Sequence, residues 1–165
     1  MIEIKNNFLD KNYFKDIHNI FFKDKNFPWF PSNVLHHEKY KQFVHLFYNN
    51  HKPNSIYNET LEPFYALLKV KALIKVKANH IWKTNKIIEH GLHTDGAEHI
   101  LKDDNPNWKT AIFYINTNNG YTKFESNKII KSEKNRLVIF PANVKHTGTT
   151  CTDKDERIVL NINYY

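Results

Sequence analysis

The spacing of apolar residues along the chain changes near residue 72, from a helical pattern to an alternating one. In the earlier part, three helices are predicted over residues 12–22, 38–48 and 60–69. Asp10 is suited to cap the first helix, because its carboxylate can accept hydrogen bonds from free amide groups of the first turn. A short strand is predicted before that helix, at residues 2–4. Pro28 and Pro31 then interrupt any helical continuation.

The later part of the chain has the pattern of a β-protein. From Leu73 to Asn79, apolar residues alternate with Lys75 and Lys77, which predicts a strand with one face in water. Five further strands are predicted at residues 110–117, 121–125, 128–131, 137–140 and 157–165. Short strands with short links favour a β-sandwich or barrel. Asn119 and Gly120 predict a type I′ hairpin turn, which needs positive φ at both residues.

Composition narrows the class of protein. A length of 165 residues predicts a single domain, with helical support over about 1–71 and a strand core over about 72–165. The single cysteine, Cys151, excludes an intramolecular disulfide framework and a multi-cysteine metal site. Without a leader or an apolar run of membrane length, we expect a cytoplasmic protein that contacts no membrane. The oligomeric state stays open.

The net charge of +7 suits an anionic partner but selects none. Because most lysines alternate with apolar residues, they fit solvated strand faces better than a nucleic-acid patch. A nucleic-acid partner is therefore not favoured.

One motif carries candidate chemistry. His93 and Asp95 are two residues apart, so in an extended chain both side chains project to the same side. His146 follows after several predicted strands, which can return the chain to supply a third ligand. Two imidazoles and one carboxylate on one side of a metal leave the opposite positions open, as non-haem iron(II) requires. Gly91, Gly96 and Gly148 flank these residues, where a backbone must turn sharply or approach a ligand.

Arg157 lies 11 residues after His146, at the start of the last predicted strand. Its planar guanidinium pairs bidentately with a carboxylate and keeps its charge. A surface ion pair with Asp153 or Asp155 is the alternative interpretation.

Together, His93-Thr94-Asp95, His146 and Arg157 resemble the signature of the 2-oxoglutarate/Fe(II) oxygenase superfamily, prolyl-4-hydroxylase-like branch, and in particular its small phage or bacterial members. Residues 110–116 resemble the family strand whose tyrosine contacts 2-oxoglutarate, which maps to Tyr114. Residues 135–141 resemble the strand before the distal histidine, and residues 157–164 the closing strand. The resemblance covers about residues 72–165, and the earlier part looks like the variable helical support of such proteins.

The resemblance implies a mainly β fold, a double-stranded β-helix (jelly-roll, cupin-like) core with amino-terminal helices packed on it. It implies Fe(II) on His93, Asp95 and His146, and 2-oxoglutarate as co-substrate, with ascorbate as a candidate reductant. The residues implied for binding 2-oxoglutarate are Arg157, Tyr114, Asn79 and Asn161. The implied activity is a dioxygenase (hydroxylase) that oxidises a C–H bond while converting 2-oxoglutarate and dioxygen to succinate and carbon dioxide. The implied substrate is a small molecule or a peptide, with peptidyl or free amino acids preferred.

Two alternatives remain. The first is a nucleic-acid demethylase of the same superfamily; such enzymes usually carry a second arginine shortly after the first, and no further arginine follows Arg157. The second is a non-catalytic cupin-like domain in which the same residues are structural or hold zinc.

Overall fold

The computed structural model describes residues 1–34, 37–95 and 108–165, and these form two antiparallel sheets with two α-helices. The strands of the first half are β1 (Glu3–Lys5), β2 (Phe30–Val34), β3 (His37–Asn49), β4 (Lys52–Pro53) and β5 (Leu73–Trp82). Those of the second half are β6 (Lys109–Tyr114), β7 (Tyr121–Phe124), β8 (Ile129–Lys131), β9 (Arg136–Pro141), β10 (His146–Gly148) and β11 (Glu156–Tyr164).

The larger sheet has eight strands in the order β1-β9-β6-β11-β5-β3-β2, with β4 paired to β3. The smaller sheet has the order β10-β7-β8. The prediction of a mainly β jelly-roll fold is therefore confirmed. Strands far apart in the chain become neighbours, and the last strand, β11, lies between β5 and β6.

Helix α1 (Lys11–Phe22) begins where the sequence predicts. The Asp10 carboxylate accepts hydrogen bonds from the amides of Asn12 and Tyr13, at 3.0 and 3.1 Å. The other helical region starts earlier than predicted, with a 3₁₀ turn at Ile56–Leu61 that leads into α2 (Glu62–Leu68). Lys69 ends this helix with a left-handed φ of 56°. The helices predicted over residues 12–22 and 60–69 are therefore confirmed.

The helix predicted over residues 38–48 is wrong, because this segment is strand β3. It pairs with β2 on one side and β5 on the other. Phe47 packs into the main apolar cluster, whereas Val44 and Leu46 face the opposite side of the sheet. A strand with apolar residues on both faces loses the alternation that marks a half-buried strand, so its sequence pattern is ambiguous.

The hairpin turn predicted at Asn119-Gly120 is also wrong. Strand β6 pairs with β9 and β11, and β7 lies in the other sheet, so the intervening residues cross between the sheets. Among the described glycines, positive φ occurs at Gly91 and not at Gly120. A Cβ atom on Gly120 would lie 2.7 Å from Cδ of Arg157, so close approach of that side chain requires glycine.

The helices cover one face of the large sheet. Phe64 of α2 and Phe113 of β6 are fully buried there, with ring centroids 5.0 Å apart. The other face is turned toward the small sheet and borders a cavity. In the part of the chain that the structure describes, no helix is long and apolar enough to span a membrane.

Candidate active site

A cavity of about 900 Å³ lies on the inner face of the large sheet. Arg157, Val159 and Asn161 of β11 project toward it, and the alternate residues Ile158, Leu160 and Ile162 are buried in the apolar cluster on the other face. Its rim includes the segment from His90 to Asp95 and part of the small sheet, represented by Thr122, His146 and Gly148. All the candidate site residues except Tyr114 line this cavity.

His93, Asp95 and His146 are brought together. One ligand atom from each lies within 4.8 Å of the others. A pair of backbone hydrogen bonds, both 2.9 Å, joins His93 to His146 across an isolated antiparallel bridge. This bridge fixes the spacing of the two imidazoles, although they are 53 residues apart in sequence.

Both imidazoles are oriented by backbone carbonyl groups. The Nδ1 atom of His93 lies 3.2 Å from the carbonyl of Gly91, and that of His146 lies 3.1 Å from the carbonyl of Val144. A carbonyl accepts hydrogen bonds, so Nδ1 carries the proton in each neutral ring and Nε2 has a free lone pair. The Nε2 atoms lie 3.9 and 3.8 Å from the Asp95 carboxylate oxygens, too far for hydrogen bonds and within reach of one shared ion.

The electrostatic environment favours the protonation states that a metal needs. Burial, reinforced by the facing His146 ring, lowers the pKa of His93. Burial alone would raise the pKa of Asp95, but the imidazoles of His146 and His93, together with hydrogen bonds from Thr110 and Asn163, outweigh burial, and the net pKa lies below the ordinary value. Neutral imidazoles and an ionised carboxylate are the forms that bind metal.

Asn163 orients the Asp95 carboxylate. Its amide nitrogen donates to Oδ2 of Asp95 at 3.2 Å and to the hydroxyl of Thr110 at 3.0 Å. Such hydrogen bonds hold a carboxylate in one direction and support its role as a ligand.

Arg157 is 1% exposed, and its guanidinium lies between the two sheets. Its Nε donates to the hydroxyl of Ser132 at 2.9 Å, and Nη2 donates to the carbonyl of Tyr121 at 3.4 Å. No described acidic residue forms an ion pair with it. Burial lowers the pKa of Arg157, yet a guanidinium stays charged at neutral pH. A buried cation without an acid partner is strained electrostatically and favours an anionic ligand.

The three remaining candidates differ in their exposure to the cavity. Asn79 and Asn161 line it, and each has a buried amide oxygen without a hydrogen-bond partner among the described residues. A bound molecule that donates to these oxygens, or rotation of the amides to present their NH₂ groups to an acceptor, would satisfy them. Tyr114 instead lies against Arg157, whose guanidinium carbon is 5.7 Å from the ring centroid. Its hydroxyl donates to Thr122 at 2.7 Å.

Sequence reasoning missed Asn163, Ser132 and the cavity position of Lys77. Asn163 and Lys77 could have been found by strand alternation, since Asn163 shares the face of Arg157 and Asn161, and Lys77 shares the face of Asn79. Ser132 lies in another sheet region, and no sequence signal connects it with Arg157. The hydroxyl of Thr147, next to His146, donates to the carbonyl of Gly148. Gly96 lies outside the described residues.

The fold is that of the 2-oxoglutarate-dependent, non-haem iron oxygenases, and comparison with solved structures confirms this prediction. A prolyl-4-hydroxylase from Pseudomonas putida matches with a TM-score of 0.69 and 12% identity, over 99% of this chain and 91% of that one. A Trichoplax adhaerens prolyl hydroxylase, solved with a hypoxia inducible factor peptide fragment, matches with a TM-score of 0.65 and 12% identity, over 99% and 83%. The α-ketoglutarate-dependent epimerase SnoN of nogalamycin biosynthesis matches with a TM-score of 0.68 and 11% identity, over 99% and 75%.

At these identities the likeness is one of fold. No protein-family model matches the sequence, and no curated protein matches it.

Proposed function

We propose that this chain is an iron(II)- and 2-oxoglutarate-dependent dioxygenase that hydroxylates a C–H bond of a small-molecule or peptide substrate. One observation carries the proposal: a single cavity contains the His93, Asp95 and His146 cluster and a buried Arg157 without a described acid partner. A molecule with a chelating 2-oxo acid at one end and a carboxylate at the other has the chemistry to satisfy both.

The donor set fits iron(II). Two neutral imidazole nitrogens and one carboxylate oxygen approach from one side, and this arrangement leaves coordination positions for a co-substrate and dioxygen. When bound, iron(II) and 2-oxoglutarate would use dioxygen for the oxidation: one oxygen atom would enter the substrate as hydroxyl and the other would enter succinate, with release of carbon dioxide.

The protein's contribution is to bind and orient. Arg157 would hold the co-substrate carboxylate that lies away from the metal, with its guanidinium kept in position by Ser132. Tyr114 would support that guanidinium through its ring face, and its hydroxyl is already engaged with Thr122. Asn79 and Asn161 would contact the co-substrate through their amides along the cavity wall between the two ends.

The substrate preference rests on the sequence motifs. The residues that resemble the prolyl-4-hydroxylase branch favour a peptidyl or free amino acid. Proteins with this fold include a prolyl hydroxylase solved with a peptide and an epimerase of nogalamycin biosynthesis. The fold therefore selects no substrate by itself.

The test is formation of succinate. Purified protein with Fe(II), 2-oxoglutarate and ascorbate is incubated in air with a library of peptides and metabolites, and succinate is quantified. Anaerobically, the protein with Fe(II) and 2-oxoglutarate should develop a weak visible charge-transfer band. If neither succinate above background nor this band is observed, the result would support a non-catalytic, zinc-holding cupin-like domain instead.

Two variants test the two ends of the cavity. His146→Ala should abolish iron binding and the charge-transfer band, whereas the exposed-residue control His51→Ala should retain both. Arg157→Met should keep iron and raise the 2-oxoglutarate concentration needed for half-maximal signal by at least about thirtyfold, from loss of a charge-assisted bidentate contact worth about 2–5 kcal/mol.

Arg136 offers a matched control for Arg157, because it is the only other arginine of the chain and pairs with Glu133 outside the cavity. Arg136→Met should leave the 2-oxoglutarate requirement unchanged. Equal effects of the two arginine substitutions would contradict the assigned role of Arg157.

A further inference from the structure

Two lysines of β5 line the same cavity, at a distance from Arg157. Strand pairing sets Lys75 opposite Asn163 and Lys77 opposite Asn161, whereas Arg157 is opposite Ile81. Ile81 is four residues beyond Lys77, about 13 Å along an extended strand. Because Asn163 donates to Asp95, the lysines lie toward the metal-ligand end of the cavity.

No described residue pairs directly with the charges of these lysines. Neither forms a hydrogen bond or ion pair with a described residue, and Asp95 is the only acidic residue among those found to line the cavity. Burial, with a smaller contribution from Lys75, lowers the pKa of Lys77, and Asp95 opposes that shift. A partly buried ammonium group in this setting is stabilised by an anion that enters the cavity.

The co-substrate does not remove the imbalance. The formal charges of iron(II), Asp95, a dianionic dicarboxylate and Arg157 cancel one another when both imidazoles are neutral. Lys75 and Lys77 then remain as excess positive charge beside the position of the reaction.

We propose that Lys75 and Lys77 form a binding site for an anionic group, a carboxylate or a phosphate, on the primary substrate. This inference rests on the proposed function, since it assigns the substrate class of that site. Asn49 is opposite Lys75 on β3 and lines the same cavity, so it adds a polar neighbour to the subsite. The substrate is therefore acidic, with its anionic group toward the metal-ligand end of the cavity.

The inference can be tested without turnover. Protein loaded with Mn(II) and saturated with 2-oxoglutarate is titrated with inorganic phosphate, and the ³¹P relaxation rate is measured; a parallel titration follows the methyl protons of acetate. Paramagnetic Mn(II) relaxes nuclei close to it, so the signal reports an anion bound near the metal. The dissociation constants obtained from the two titrations identify the preferred anion.

Loss of one charge-assisted contact should weaken anion binding about tenfold in Lys77→Met, which keeps an unbranched apolar stem and removes the ammonium group. Lys77→Arg should retain binding, and the Lys75→Met, Lys77→Met double variant should lose it. Lys71→Met serves as the matched control, because Lys71 is exposed just before β5 and should have no effect.

Three outcomes would overturn the inference. The first is equal relaxation in wild type and the double variant. The second is that Mn(II)-loaded wild-type protein enhances the relaxation of neither phosphate nor acetate nuclei. The third is displacement of 2-oxoglutarate by the anion, seen in the 2-oxoglutarate proton spectrum of the same sample, which would locate the anion at Arg157. If 2-oxoglutarate does not bind the loaded wild-type protein at all, the proposed function fails, and this inference fails with it.

Discussion

Alternate residues of the eight-stranded sheet meet two different environments. On the helix-covered face, β11 contributes Ile158, Leu160 and Ile162 to a large apolar cluster that includes aromatic side chains of both helices. On the cavity face, the same strand contributes Arg157 and Asn161, whose polar groups lack complete partners among the described residues. The backbone ladder is common to both faces, so the side chains alone make the difference.

The covered face contributes mainly to stability, and the cavity face contributes mainly to ligand binding. Burial of apolar area on the covered face favours folding, whereas unpaired polar groups on the cavity face oppose it until a ligand arrives. Proteins commonly retain such unfavourable groups where they bind a ligand. We therefore expect substitutions on the covered face to change the free energy of unfolding, and those on the cavity face to change ligand binding.

The largest expected effect is on the covered face. Phe64→Ala removes a fully buried ring that contacts Phe8 and Phe113, with centroids 5.1 and 5.0 Å away. The free energy of unfolding, measured in urea, should fall by about 3–5 kcal/mol. Leu67→Ala on the same helix, where the side chain is 51% exposed, should change it by no more than about 0.5 kcal/mol. Similar losses of stability in both variants would contradict the conclusion that burial on the covered face stabilises the fold.

The next effect concerns pH on the cavity side. Burial, with Arg157 and His93 contributing, lowers the pKa of His90 to about 4. The unfolded chain takes up this proton near pH 6.5, so between about pH 6.5 and 4 the unfolded state binds more protons and stability falls as pH falls. His90 should account for roughly 3 kcal/mol of that loss.

Urea unfolding at a series of pH values checks this prediction. His90→Gln should remove about that share of the pH dependence between those limits, and the exposed-residue control His51→Gln should leave the curve unchanged. The slope that remains in His90→Gln comes in part from His80, because burial lowers the pKa of His80 to about 4 as well. A wild-type curve that is flat in this range would show that the cavity imposes no such cost.

The smallest expected effect comes from a substitution in the segment that crosses between the two sheets. Gly120→Ala would bring a methyl group to 2.7 Å from Cδ of Arg157 and 2.8 Å from the carbonyl oxygen of Thr150. We expect a loss of about 1–3 kcal/mol in the free energy of unfolding, together with weaker 2-oxoglutarate binding, because Arg157 must move.

Gly148→Ala is the control for Gly120→Ala, since its nearest contact would be 3.7 Å from Nη1 of Arg157, an ordinary separation. Unfolding in urea and 2-oxoglutarate titration should distinguish the two variants. A fully tolerated Gly120→Ala would contradict the close packing of Arg157.

Much of the fold could be predicted because local patterns carried it. The Asp10 cap and the helical spacing after it locate α1, and the alternation in β5 and β11 locates two strands at the centre of the sheet. The segment over residues 38–48 failed because both of its faces are apolar, so only its pairing with β2 and β5 makes it a strand. The prediction of a single domain stays a prediction.

The amino-acid sequence alone supplies the residue types: two histidines, one aspartate and one arginine at a spacing that resembles an oxygenase signature, and an apolar alternation that marks strands such as β5 and β11. Which of these residues become spatial neighbours depends on the tertiary structure. The bridge between His93 and His146, the hold of Asn163 on Asp95, and the approach of Lys75 and Lys77 to the metal-ligand end all depend on pairing between strands remote in sequence. Local propensity reaches only a few residues along the chain, and the candidate site is built across these long-range pairings.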